Sequence, residues 1–371
     1  MKVTIEREAV LRALARTQGV VDKRHSMAVL TNALLEAEDG ALNVIATDLE
    51  VSLKQTVSAK VTEPGRAAAS ARMLFEIVRE SATDEIQLRT LENQWVEVAY
   101  GRSNFKLMGI NPEEHPGMPA GTRNGSKAVR LQLDVGDLSE MIRKTVFAVS
   151  TDDTRSNLAG VYLTKGAKKG TVRMVATDGH RLAMIDRQAT GGAVTDGAIL
   201  PRKGLAELGK LLPEETGAVT LTISTSEASV EVGSCLLSIR LVEGSFPDYQ
   251  KVIPESTPRE LSVGRDELLQ TLRRVSILSS ERARGVRFKL EKGSLAIVAS
   301  NPDLGEASEE LPIDYRGEAM EVGFNARYLL DVLSVLPEAT KVEIGLGDEL
   351  SPGVLRGDDE GYRYVVMPMR I

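Results

Sequence analysis

The sequence has 371 residues, 42% hydrophobic and 27% charged, with a formal net charge of −7. That length suits two or three domains, and the single cysteine, Cys235, excludes an intrachain disulfide and any CxxC metal or redox pair. The acidic balance repels nucleic acid on average, so DNA binding would need its basic residues gathered on one face. No apolar run approaches the roughly 18 residues of a membrane span. Charges interrupt "MKVTIEREAV" where a signal peptide needs an apolar stretch, so the expected location is cytoplasmic.

Taken in chain order, "VTIEREAVLRAL" from Val3 is a short alternating strand running into an amphipathic helix with i, i+3, i+4 spacing. "LNVIATDLEVSL" (Leu42–Leu53) is an alternating strand that reaches an Ala, then Thr-Asp, then turns into another strand. "SARMLFEIVRE" is helical with Ser70 at its start, and "WVEVAYG" follows as a strand. The same order returns with "LQLDVGDLSEMI" from Leu131, "VRMVATDGHRLAM" (Val172–Met184), "PRKGLAELGKLL" starting at Pro201, and "ASVEVGSCLLSIRLV". It returns a third time with "LSVGRDELLQTL" from Leu261, "LAIVASNPDLGEA" (Leu295–Ala307) and "NARYLLDVLSVL" starting at Asn325. A pattern that recurs three times predicts three similar domains, 1–127, 128–256 and 257–371. Their boundaries fall near the turn-rich "PAGTRNGSKA" (Pro119–Ala128) and "PESTPRE" (Pro254–Glu260). Short turns between consecutive strands favour an α+β fold, antiparallel sheets with two helices per domain packed on one side, over parallel βαβ units. Asp48, Asp178 and Asn301 occupy one repeat position, where an Asx side chain caps a turn.

The first helix of each repeat carries cations in its last turns: Arg12 and Arg16, Arg143 and Lys144, Arg273 and Arg274. The second helices add Arg72 and Arg79, then Arg202, Lys203 and Lys210, then Arg327. Cations near a helix C-terminus suit the macrodipole. Repeated three times, they can also build a basic surface that touches phosphates without reading bases. Three pseudo-equivalent domains suit a ring, because head-to-tail contacts close when the rotation allows.

Several longer stretches stand in a fixed order: "RHSMAVLTNALL" (Arg24–Leu35), "TDDTRSNLAGVYL" (Thr151–Leu163), "VATDGHRLAM" (Val175–Met184) and "FPDYQKVIP" (Phe246–Pro254). "SSERARGVRF" (Ser279–Phe288), "GFNARYLLDVL" (Gly323–Leu333) and the terminal "YVVMPMRI" complete the set. Through them the sequence resembles the bacterial DNA polymerase III beta subunit family, the sliding clamps, along essentially its whole length. The resemblance implies a homodimer of three-domain crescents closed head to tail around double-stranded DNA, with helices lining the hole. It implies a processivity factor without catalysis, metal or cofactor and with no membrane association. The polymerase III alpha subunit, the clamp loader, other polymerases and repair proteins would bind through short apolar motifs.

The same resemblance assigns residues. A partner groove between the second and third domains would be walled by Leu158, Thr177, Gly179, His180, Arg181 and Leu182, by Pro247, Lys251 and Val252, and by Val365, Val366, Met367, Pro368, Met369 and Arg370. Leu, Val and Met walls accept apolar anchors. In the tail, Tyr364 and part of Val365–Met367 would finish a strand; Pro368 ends the regular ladder, so Met369 and Arg370 turn toward the groove. DNA contacts fall on Arg24 and Arg155, to which the helix charge pattern adds Arg202 and Lys203; Ser156 and Asn157 stand where some relatives carry aromatic residues. The dimer contact would join Phe105 and Leu107 to Ile277 and Leu278, four residues that an ordinary core would also explain. Two rival functions remain: a metal-dependent nucleic-acid enzyme using Asp48, Asp178 and Asp303, and a protein scaffold that never meets DNA. His180 in "TDGHRL" reads as a groove-rim residue rather than an enzyme base.

Overall fold

A computed structural model describes residues 1–21, 27–119, 128–152, 154–280 and 284–370. Six α-helices are present among the described residues: α1 (Arg7–Thr17), α2 (Ala71–Arg79), α3 (Val135–Thr145), α4 (Arg202–Leu211), α5 (Arg265–Val275) and α6 (Ala326–Val335). They fall two to a repeat, and apart from short 3-10 turns the remaining regular structure is antiparallel strand, the α+β architecture expected. The expected start signals operate locally. Ser70 Oγ accepts from Met73 N at 3.3 Å and Asn325 Oδ1 from Arg327 N at 3.0 Å, capping α2 and α6, while α4 begins directly after Pro201. Apolar spacing sets the buried faces: α1 buries Val10, Ala13, Leu14 and Thr17, and α5 buries Leu268, Leu269, Leu272 and Val275. Among the described residues, no helix is long and apolar enough to cross a membrane.

By compactness the chain forms two units, each taking part of the second repeat. The first comprises Met1–Leu138, Ala189–Ala193 and Lys203–Leu241 and holds a 14-stranded sheet. In that sheet strand Cys235–Arg240 of the second repeat pairs with strand Val51–Glu63 of the first, in the register Ser238↔Ser52 and Ile239↔Val51. The second unit comprises Ser139–Gln188, Val194–Arg202 and Val242–Ile371, with an eight-stranded and a four-stranded sheet. Here strand Tyr362–Val366 of the third repeat pairs with strand Arg181–Gln188 of the second, in the register Leu182↔Val365 and Arg181↔Val366. Continuous sheets therefore bridge repeats, and a repeat taken from the sequence does not bound a sheet.

The apolar tail is tied down over most of its length. Tyr364, Val365 and Val366 are buried, Met367 N donates to His180 O at 2.8 Å, and Met369 N donates to Gly323 O at 2.9 Å. The strand ends at Val366, two residues before Pro368.

Candidate functional site

The site grows from the turn Thr177–Arg181. Asp178 Oδ1 accepts from His180 N at 2.9 Å and from Arg181 N at 3.1 Å, and Thr177 Oγ1 donates to Arg181 O at 2.6 Å. Gly179 adopts φ of 90°, the left-handed region that glycine enters without a Cβ penalty. The same Asx device recurs in the other repeats. Asp48 Oδ1 accepts from Glu50 N and Val51 N at 2.9 and 2.7 Å, and Asn301 Oδ1 accepts from Asp303 N at 3.0 Å.

The strands leaving this turn place cross-strand pairs on one face: Thr177 opposite Leu182, Val175 opposite Met184, and Arg173 opposite Asp186. Val175, Leu182, Met184 and Val365 form a buried apolar cluster, against which Tyr162, Phe246, Tyr249, Val252 and Ile253 pack half-buried. The Tyr162 and Phe246 rings stack at 4.9 Å, and Phe246 meets Tyr249 edge-on at 6.5 Å. The result is an apolar floor with an aromatic wall.

Of the residues expected at a groove, Leu182, Val365 and Val252 come together in this cluster. Leu158 and Thr177 are buried, while Gly179, His180, Pro247 and Lys251 are exposed; Lys251 pairs with Asp248 at 3.2 Å. His180 stacks on Tyr328 at 6.4 Å. Val366 faces away from the cluster, since its neighbour Val365 faces it. Met367 and Met369 are held by the backbone bonds above; with Pro368 they are half-buried, and Arg370 is exposed.

Arg181 also points away from the cluster. Its guanidinium binds Asp178 at 3.0 Å, Asp331 at 2.6 Å and Phe147 O at 2.6 Å, and lies 4.5 Å from the Tyr328 ring. Tyr364 donates its hydroxyl to Tyr328 O at 2.8 Å, and burial pushes its phenol well above the usual range. Arg181 thus fastens the turn to α6 and to the segment after α3. Sequence reasoning missed Val175, Met184, Tyr162, Phe246, Tyr249 and Ile253. A signal for Met184 was present, because it stands two residues beyond Leu182 on one strand.

The residues expected at DNA have mixed surroundings. Arg24 lies outside the described residues. Arg155 is exposed beside the turn, 3.4 Å from Asp178 O and 3.6 Å from Asp152. Arg202 is exposed at the start of α4, whereas Lys203 is ion-paired with Asp48. Among the helix cations, Arg16 binds Glu214 and Glu215, and Lys144 is 1% exposed between Glu140 and Asp359. These two are committed to ion pairs inside their own units. At the expected dimer contact, Phe105 and Ile277 are exposed, and Leu107 and Leu278 are half-buried, so none of the four is core in the single chain.

Family models match the chain in three consecutive pieces. The DNA polymerase III beta subunit N-terminal domain matches residues 1–119, its central domain 132–248 and its C-terminal domain 250–370. The chain is 36% identical over 377 residues to the beta sliding clamp of Caulobacter vibrioides, covering 100% of both sequences. The crystal structure of the DNA polymerase III subunit beta from Pseudomonas aeruginosa matches with a TM-score of 0.94 at 37% identity, covering 100% of both chains. The sliding clamp of Bartonella birtlesii bound to griselimycin matches with a TM-score of 0.92 at 33% identity, again over 100% of both chains. Three domains of antiparallel sheet and paired helices are the architecture of a DNA clamp. The chain belongs to the DNA polymerase III beta subunit family, the bacterial sliding clamps, and its function is that of a sliding clamp in DNA replication.

Proposed function

We propose that two copies of this chain close head to tail into a ring around double-stranded DNA and tether the polymerase III alpha subunit, with no chemistry of their own. The observation that carries the partner-binding part is the apolar cluster around the Leu182–Val365 register, walled by Phe246, Tyr249 and Val252. A short apolar motif finds there a floor of Leu, Val and Met side chains, and the griselimycin-bound relative supports ligand capture by clamps of this fold. Leu158, Thr177, Gly179, His180, Pro247, Lys251 and the tail Met367–Arg370 form its rim. Clamp loader, other polymerases and repair proteins compete for the same surface.

Two of the three carboxylates a metal-dependent enzyme would use have structural partners: Asp48 caps its turn and pairs with Lys203, and Asp178 caps its turn and pairs with Arg181. In the ring, Arg24, Arg155, Arg202 and Lys203 meet phosphates. Phe105 and Leu107 on strand Ser103–Leu107 of one copy meet Ile277 and Leu278 of the other. The three clamp domains are 1–127, 128–256 and 257–371. The chain works in the cytoplasm, at the chromosome.

Retention on DNA tests the ring. Loaded by a clamp loader with ATP, the protein stays on nicked circular plasmid and is lost from the same plasmid once linearised. Equal loss from both overturns encirclement. Charging Ile277 and Leu278 to Asp together gives monomers by light scattering and abolishes retention; a persistent dimer overturns the interface. Binding to short linear duplex is weak and falls with salt.

A further inference from the structure

The floor of the groove and Tyr162 are placed by strand pairing, but the rest of its aromatic wall is not. Phe246, Tyr249, Val252 and Ile253 lie on a short helical turn, Tyr249–Val252, and its flanks, outside the sheets. The wall's position therefore depends on side-chain ties to the floor. One such tie stands at the end of the floor. Arg173 and Asp186 form the third cross-strand pair of the groove face, after Thr177–Leu182 and Val175–Met184. Their side chains are 12% and 15% exposed. Arg173 Nε and Nη2 donate to the two oxygens of Asp186 at 2.5 and 2.8 Å, the bidentate geometry that fixes a guanidinium plane. Its remaining terminal nitrogen, Nη1, donates to the Tyr249 hydroxyl at 3.3 Å. Ala167 N holds Asp186 Oδ2 from the other side at 3.0 Å.

We propose that the Arg173–Asp186 pair is a positioning element of the groove, which fixes Tyr249, and through it the wall bearing Val252, before a ligand arrives. This deepens the groove reading given above and rests on it. The guanidinium fork at the Tyr249 hydroxyl and the edge-on Phe246, itself stacked on Tyr162, hold the wall against the floor. Binding then needs little reordering of the wall, and a wall released from its tie binds in proportion to the fraction still in place.

Griselimycin is the probe, titrated calorimetrically into the full-length protein and into Tyr249→Phe, Asp186→Asn and the double variant. Each single variant is expected to weaken binding about tenfold, the effect of losing one charge-assisted hydrogen bond. The double variant is expected to be no worse than the weaker single, because both act through one chain of contacts. Backbone amides of residues 249–252 exchange faster in both single variants. Tyr249→Phe keeps the ring and is the variant least able to disturb folding. Wild-type binding with variants within about twofold of it, or single losses that add in the double, overturns the proposal and leaves the groove reading standing. Weakened binding that tracks a lower unfolding midpoint with unchanged exchange at residues 249–252 also overturns it. No binding by the wild type overturns the groove reading itself.

Discussion

Two strand pairings, one in each unit, are built on the same frame and finished with different chemistry. In the first unit Cys235–Arg240 lies beside the strand leaving the Asp48 turn, and Arg240 N donates to Glu50 O at 2.8 Å. In the second, Tyr362–Val366 lies beside the strand leaving the Asp178 turn, and Met367 N donates to His180 O at 2.8 Å. Equivalent positions on the outward face are Ser52, Lys54 and Ser238 in one, and Leu182, Met184 and Val365 in the other. The serines are buried among polar partners: Thr47 and Ser52 hydroxyls bond at 2.7 Å, and Ser238 donates to Glu227. The frame is shared, and the side chains of the outward face decide which pairing offers an apolar site.

The largest effect expected from breaking this contrast comes from giving the second pairing the first one's chemistry. Leu182→Ser with Val365→Ser should weaken griselimycin binding by more than about a hundredfold, each deletion removing roughly 1.5–3 kcal/mol of apolar burial. Circular dichroism should show the fold retained, and tight binding by the double variant would show that the cluster is not the site.

The cations behind the two pairings give a smaller contrast. Lys144 is 1% exposed and carries two carboxylates, so Lys144→Ala should cost about 3 kcal/mol in urea unfolding. Arg16 also carries two carboxylates and its side chain is 8% exposed, but its partner Glu214 is 55% exposed and screened by water, so Arg16→Ala should cost less, about 2 kcal/mol. Equal losses would break the comparison.

Acidity should separate the two regions with opposite signs. Burial opposes ionisation of Asp359, but hydrogen bonds from Arg187 and Lys144 outweigh it and hold the carboxyl at about 2. Its folded value is depressed below the ordinary 3.8, so its contribution is full above that value and is lost as pH falls toward 2. Burial raises Glu227 above 4.5, so its contribution is present below 4.5 and is lost as pH rises through the folded value. Stability against pH, measured for Asp359→Asn and Glu227→Gln, should deviate from wild type in these opposite directions. Matching deviations would show that the two regions are not electrostatically distinct.

The repeat, the helix starts at Ser70, Pro201 and Asn325, and the Asx turns were legible because each is a local rule of spacing or capping. Leu182, Val252 and Val365 were named through the family resemblance, and strand alternation could have added Met184. The pairing of Tyr362–Val366 with Arg181–Gln188 was not legible, since alternation tells which face a side chain takes and not which distant strand lies alongside. Nor was the direction of Arg181: its sequence neighbours place it in a groove motif, yet Asp331 on α6 draws the guanidinium to the other face. The aromatic wall escaped for a related reason, because Phe246 and Tyr249 sit in an irregular segment with no period to read.

The partner strands of the second pairing lie far apart along the chain, which bears on how the protein is made. Synthesis delivers Arg181–Gln188 long before Tyr362–Val366 exists, and until then that strand has an open edge with Leu182 and Met184 uncovered. Such long-range closures are slow and leave apolar edges available to wrong neighbours. The apolar cluster is completed by Val365 only when this late closure succeeds, so under the groove proposal competence to recruit partners reports that the second unit has finished folding.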